Sequence, residues 1–90
     1  MIRKRYDFTG QVQHVGFRRR ARKAAGMFGC TGWCRNNPDG SVTMEIQGTR
    51  VQILLVLMAV RRSRRIRILK TSAVRISPVA GEQGFLRVTE

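Results

Sequence analysis

Ile2, Tyr6 and Phe8 stand on one face of the first ten residues if the chain is extended, and Lys4 interrupts that face near its exposed start. The period of two predicts a strand over residues 2–9, ended by Gly10. From Phe17 the period changes. Phe17, Ala21, Ala24, Ala25 and Phe28 recur at helical spacing, while Arg19, Arg20, Arg22 and Lys23 take the other faces. That is an amphipathic helix, closed by Gly26 or Gly29. Residues 31–37 read as a second strand. Pro38, Asp39 and Gly40 then form a turn, with proline pre-set for it and glycine able to take positive φ. Residues 41–47 alternate again, Val42, Met44 and Ile46 inward and Thr43, Glu45 and Gln47 outward, so the centre of the chain is a β-hairpin.

Thr49 is a helix cap, and residues 50–62 form a second helix. Val51, Leu54, Leu55 and Met58 make its face for the sheet. Ile53, Val56, Leu57 and Val60 are apolar as well. The helix is therefore greasy on more than one side, which fits either a self-association surface over residues 51–60 or cover by arginine stems and neighbouring loops. A basic loop over residues 63–67 leads into a long strand at 66–77, irregular around Thr71 and Ser72. A turn at 78–83 and a short closing strand at 84–88 finish the chain. The order β-α-β-β-α-β, with one short extra strand, predicts an α+β ferredoxin-like sandwich: two helices on one face of an antiparallel sheet. Ninety residues make one small domain, 1–90, with a modest core.

Charge changes the picture more than composition does. Eighteen Lys and Arg against five Asp and Glu give a net charge of +13. Such a surface attracts nucleic acid or anionic membranes regardless of specific function, and equally suits an enzyme of anionic substrates. The apolar run at 51–60 is too short to span a bilayer. The charged first seven residues are not a signal peptide, so the expected location is the cytoplasm. Cys30 and Cys34 on one extended segment lie about 13 Å apart, too far for a disulfide, and read as free thiols in a reducing compartment. With one histidine they do not make a zinc site.

Candidate chemistry concentrates in residues 10–18, GQVQHVGFR. Glycines permit unusual backbone geometry, and an arginine closes the stretch where a helix begins. Free amides at a helix N-terminus, the helix dipole and a forked guanidinium together make an anion site. In the expected topology the first two strands run in the same direction. Their C-terminal ends therefore lie on one side of the sheet, and the loop meets the second stretch, GWCRNNPDGSV at 32–42.

With both stretches in view the chain resembles the acylphosphatases, whose loop G-x-V-Q-G-V-x-F-R is followed by G-W-V-x-N-x-x-D-G-x-V. The match runs through Gly10, Val12, Gln13, Val15, Phe17 and Arg18, and again through Gly32, Trp33, Asn36, Asp39, Gly40 and Val42. His14 stands where the family has glycine, and Cys34 where it has valine. The resemblance covers essentially the whole chain and implies the same ferredoxin-like fold. It also implies hydrolysis of small acyl phosphates to carboxylate and inorganic phosphate, with no metal or cofactor. Backbone amides of His14, Val15, Gly16, Phe17 and Arg18 would cradle the phosphoryl oxygens, Arg18 would take up charge, and Asn36 would orient the attacking water. Asp39 reads as turn chemistry, Trp33 as core or rim, and the His14 side chain as tolerated.

Two other readings come from a different class. RNA-recognition motifs share the element order, but they stack bases on aromatics of the central strands. The third strand here, SVTMEIQ, has none. Nucleic-acid binding is therefore expected to be weak, non-specific and electrostatic. A catalytically silent relative serving as a basic nucleic-acid-binding or interaction module is the other alternative.

Overall fold

The computed structural model describes residues 1–88; residues 89 and 90, where the expected domain ends, lie outside the described residues. The elements follow in the order β1 (Ile2–Gln11), α1 (Phe17–Phe28), β2 (Thr31–Asn36), β3 (Val42–Gly48), α2 (Arg50–Arg61), β4 (Arg67–Ile76) and β5 (Phe85–Val88). The five strands form one sheet in the order β4-β1-β3-β2-β5. This is the ferredoxin-like sandwich with the short extra strand. One correction applies: the sheet is mixed, because β5 pairs parallel to β2. The chain leaves β4 at one edge and must cross to the other edge before it pairs again, and it arrives there running with β2.

The core lies between the sheet and the two helices. Tyr6 and Phe8 of β1 stack with ring centroids 5.7 Å apart, and Phe8 meets Phe17 of α1 at 5.0 Å. Val42, Met44 and Ile46 of β3 are fully buried beneath them, as the alternation predicts. α1 buries Phe17, Ala21, Ala24 and Ala25 and ends at Gly29, whose amide bonds back to Ala25. The buried face of α1 is small at Ala21, Ala24 and Ala25, and Phe17 at its start packs against Phe8.

α2 departs from expectation. Its buried residues are Ile53, Val56 and Val60, whereas Val51, Leu54 and Met58 are 65%, 55% and 47% exposed. Apolar residues ring this helix, so hydrophobic periodicity cannot choose the face. The β-branched stripe packs and the Val-Leu-Met stripe faces outward.

β1 runs through Gly10 to Gln11, one residue beyond the glycine. The break in its pairing with β4 falls between Thr9 and Gly10, where Leu69 has no opposite residue. Thr71 and Ser72, expected to be irregular, pair in register with Phe8 and Asp7. At the bulge Gly10 has φ 124°, and a Cβ there would sit 2.2 Å from the Arg67 carbonyl oxygen. Only glycine lets the strand continue past this point.

The outer face of the sheet is not simply solvated either. Thr43 and Gln47, expected outward, do point there but are buried. Arg3, 2% exposed, donates to Glu45 Oε1 at 3.0 Å and Glu82 Oε1 at 2.7 Å. Burial works against its charge, but the bonds to Glu82 and Glu45 outweigh that and hold its pKa above the ordinary value. Gln47 exchanges two hydrogen bonds with the backbone of Val79. The crossover at 77–84 is thereby pinned across the sheet, which delivers β5 to the edge beside β2.

Candidate active site

Strands β1 and β2 both run antiparallel to β3, so their C-terminal ends share one side of the sheet. The loop after β1 and the end of β2 meet there, around a cavity of about 210 Å³. Its walls include His14, Gly16, Phe17 and Arg18 from the loop and helix start, and Asn36 from β2. The two stretches singled out in the sequence therefore converge in space.

The loop's backbone explains its residues. His14 has φ 61° and Gly16 has φ 79°, with Val15 between them at negative φ. Alternating signs of φ suit a loop in which successive N–H groups turn toward one concavity, a nest for an anion. His14 is the one non-glycine residue at positive φ among the described residues. The position does require the left-handed region, which histidine tolerates better than most side chains. Gly16 is also the N-cap of α1, and no side chain caps the helix. The first helical bond is from the Arg20 amide to the Gly16 carbonyl, 3.0 Å. The amides of Phe17, Arg18 and Arg19 precede it and have no intrahelical acceptor. No acidic residue occupies the first turn. A helix end with no cap of its own, opening on a cavity, is ready for an external anion.

Three side chains hold this arrangement. Gln13 donates from Nε2 to the carbonyls of Asn37 and Ser41 at 2.7 and 2.8 Å, tying the loop to the hairpin. Asn37 donates to Ser41 Oγ at 3.0 Å and Thr43 Oγ1 at 2.8 Å, which fixes the turn beside Asn36. Asp39 caps the same turn, accepting from the Ser41 amide and hydroxyl at 3.0 and 2.6 Å, and these bonds lower its pKa. Asp39 is turn chemistry, as expected.

Arg18 donates from Nη1 to the Val88 carbonyl at 2.9 Å. The extra strand β5 thus orients the guanidinium. Beneath it lies Cys34, whose thiol burial pushes up to about 12, with the Arg18 charge pulling the other way. At physiological pH that thiol is neutral and, being fully buried, is no nucleophile. Cys30 is buried too and raised to about 11 by the same cause. Trp33 lies half-buried beneath the Arg35 guanidinium, 5.4 Å from ring centroid to Cζ. It is rim, with its face already covered.

Arg87 and Arg19 also line the cavity, and sequence reasoning passed over both. Periodicity places Arg19 only on the faces of α1 away from its apolar stripe. Arg87 pairs opposite Cys34 in the parallel β2–β5 ladder. No signal in the sequence gives that register, although the side of the pleat follows once the register is known.

With this geometry in hand, the chain can be set beside known proteins. The acylphosphatase family pattern matches residues 4–86. An acylphosphatase of Bordetella parapertussis is 38% identical over 76 residues, which is 84% of this chain and 73% of that protein. One of Salinibacter ruber is 39% identical over 78 residues, 86% of this chain and 82% of the other. The crystal structure of the Bacillus subtilis acylphosphatase superposes with a TM-score of 0.89 at 27% identity, covering 99% of this chain and all of that one. A match over this much of the sequence, on the same fold and around the same two stretches, means that the chain belongs to the acylphosphatase family of enzymes.

Proposed function

We propose that the protein hydrolyses the carboxyl–phosphate bond of small acyl phosphates, releasing carboxylate and inorganic phosphate, with Arg18 and Asn36 as its catalytic residues. One observation carries this reading. The uncapped N-terminus of α1, preceded by His14 and Gly16 at positive φ, opens on the same cavity as Arg18 and Asn36.

The substrate bond is a mixed anhydride, already activated, and its leaving group is a stable carboxylate. Positioning and charge stabilisation suffice, without a covalent nucleophile. The amides of His14, Val15, Gly16, Phe17 and Arg18 donate to the phosphoryl oxygens. The Arg18 guanidinium, held by Val88, pairs with the same oxygens and stabilises charge as the transition state forms. The Asn36 carboxamide, which both donates and accepts, hydrogen-bonds the water and sets its line of attack. Water adds to phosphorus, the bond to the acyl oxygen breaks, and its electron pair leaves with the carboxylate. The water's proton ends on the phosphate.

Benzoyl phosphate assayed in excess chelator tests this directly. Turnover by the folded protein is expected; no turnover would favour the silent-relative reading.

We read residues 1–90 as one domain, in keeping with the single sheet and shared core. The buried free thiols support a reducing compartment such as the cytoplasm. No helix among the described residues is long and apolar enough to cross a membrane. The charge of +13 and the absence of aromatics on β3 support weak, sequence-blind nucleic-acid binding that salt abolishes. The outward stripe of Val51, Leu54 and Met58 supports self-association through residues 51–60, opposed at low salt by like charge.

A further inference from the structure

A second recess lies beside the phosphate loop and plays no part in the chemistry above. Its volume is about 260 Å³, and it shares Gly16 and Arg19 with the catalytic cavity. Arg20 and Lys23 of α1 form one wall; Ser63 and Arg65, after α2, form the other.

Four cations thus face one concavity. Neither α1, nor α2, nor the connection at 62–66 contains an Asp or Glu. The ion pairs among the described residues all belong to Arg3 and Arg5, with Glu45 and Glu82, on the outer face of the sheet. The recess has no acidic counterpart of its own. Arg19 and Lys23 are four apart on one helix, a like-charge pair that destabilises α1 when nothing is bound. A bound anion reverses the sign of that interaction. Both walls are ordered. Arg20 donates from Nε to the Ala59 carbonyl at 2.5 Å, which ties it to α2. The Arg65 amide bonds to Ser63 Oγ at 3.4 Å.

We propose that this recess is a second anion subsite, and that it selects acyl phosphates whose acyl part carries its own phosphoryl, phosphonate or carboxylate group. The proposal rests on the acyl-phosphate reading of the neighbouring cavity. With the transferring phosphoryl group in the nest, an acyl chain that runs along the shared wall at Gly16 and Arg19 brings its far end between Lys23 and Arg65. Charge-assisted hydrogen bonds there hold the substrate through a part that does not react. The effect falls mainly on KM.

The test compares kcat/KM for benzoyl phosphate, 4-carboxybenzoyl phosphate and 4-phosphonobenzoyl phosphate, each corrected for its uncatalysed hydrolysis. At low salt the para-phosphonate should be preferred over benzoyl phosphate by about tenfold, the scale of charge-assisted contacts discounted for exposure. The doubly substituted Lys23→Met, Arg65→Met protein should lose that preference while keeping its rate on benzoyl phosphate. A protein with Lys70→Met and Arg75→Met on β4 loses the same charge at a distance and should keep the preference. No preference in the wild type, or one unmoved by Lys23→Met with Arg65→Met, or one moved equally by the β4 substitutions, would overturn the proposal. Failure to hydrolyse any of the three would instead sink the acyl-phosphate reading on which it stands.

Discussion

The two helices are equally long, and their N-termini are built for opposite purposes. At α2 the Thr49 hydroxyl accepts from the Gln52 amide at 3.1 Å, and the Gln52 side chain accepts from the Thr49 amide at 2.9 Å. That reciprocal capping box satisfies the helix from within. At α1 the equivalent position is Gly16, which has no side chain to offer, and the first turn holds Arg18 and Arg19 instead of an acid. The first end is finished; the second is incomplete without an anion. A cap of the Thr49 kind stabilises a helix by roughly 1 kcal/mol. That figure is against alanine; with glycine at the cap α1 gives up only about a few tenths of a kcal/mol, and its free amides are the main part of the proposed phosphate site.

The contrast can be broken most severely at Arg18. Arg18→Ala should raise KM and lower kcat, with a combined loss of roughly 10³-fold or more, the scale of an arginine at a transferring phosphoryl group. Arg18→Lys keeps the charge without the planar fork and should recover only part of it. Asn36→Ala comes next. It should lower kcat by roughly 10²–10³-fold, as for a lost positioned donor, and leave competitive inhibition by phosphate nearly unchanged. Equal loss of phosphate binding in both variants would show that the proposed division of labour is wrong.

At α2 the expected signature is the reverse. Thr49→Ala should lower unfolding free energy by about 1 kcal/mol in a urea titration while kcat/KM stays at the wild-type value. The smallest effect belongs to His14. Replacing it with glycine relieves a left-handed backbone that histidine occupies at some strain, partly offset by the entropy glycine loses on folding. The net should be a gain below about 1 kcal/mol with activity retained. A loss of activity would give the imidazole a role beyond its backbone.

Much of this was legible in the chain, for physical reasons that differ by region. The strand at Ile2–Gln11 and the helix at Phe17–Phe28 each have one apolar face and one polar face, so the period names both the element and its buried side. The loop and hairpin were legible through turn chemistry and the matched stretches, and the topology then required them to meet. α2 was legible as a helix but not in its orientation, because Val51, Leu54 and Met58 are as apolar as Ile53, Val56 and Val60. Arg3 could not be read as buried, since its partners Glu45 and Glu82 are brought to it only by the sheet and the crossover. The same crossover decides that β5 joins β2, and with that it places Arg87 in the site and the Val88 carbonyl behind Arg18. Local pattern carries local structure; these contacts depend on where distant segments return.

Inorganic phosphate titrated into the protein, with backbone amides followed by NMR, tests the difference between the two helix ends most directly. Saturable shifts should appear at His14, Val15, Gly16, Phe17 and Arg18, with Gln52 and its neighbours at the capped end of α2 unmoved. Shifts confined to the basic stretch at 61–67, or an equal response at both helix ends, would contradict the assignment of the α1 N-terminus as the phosphate site.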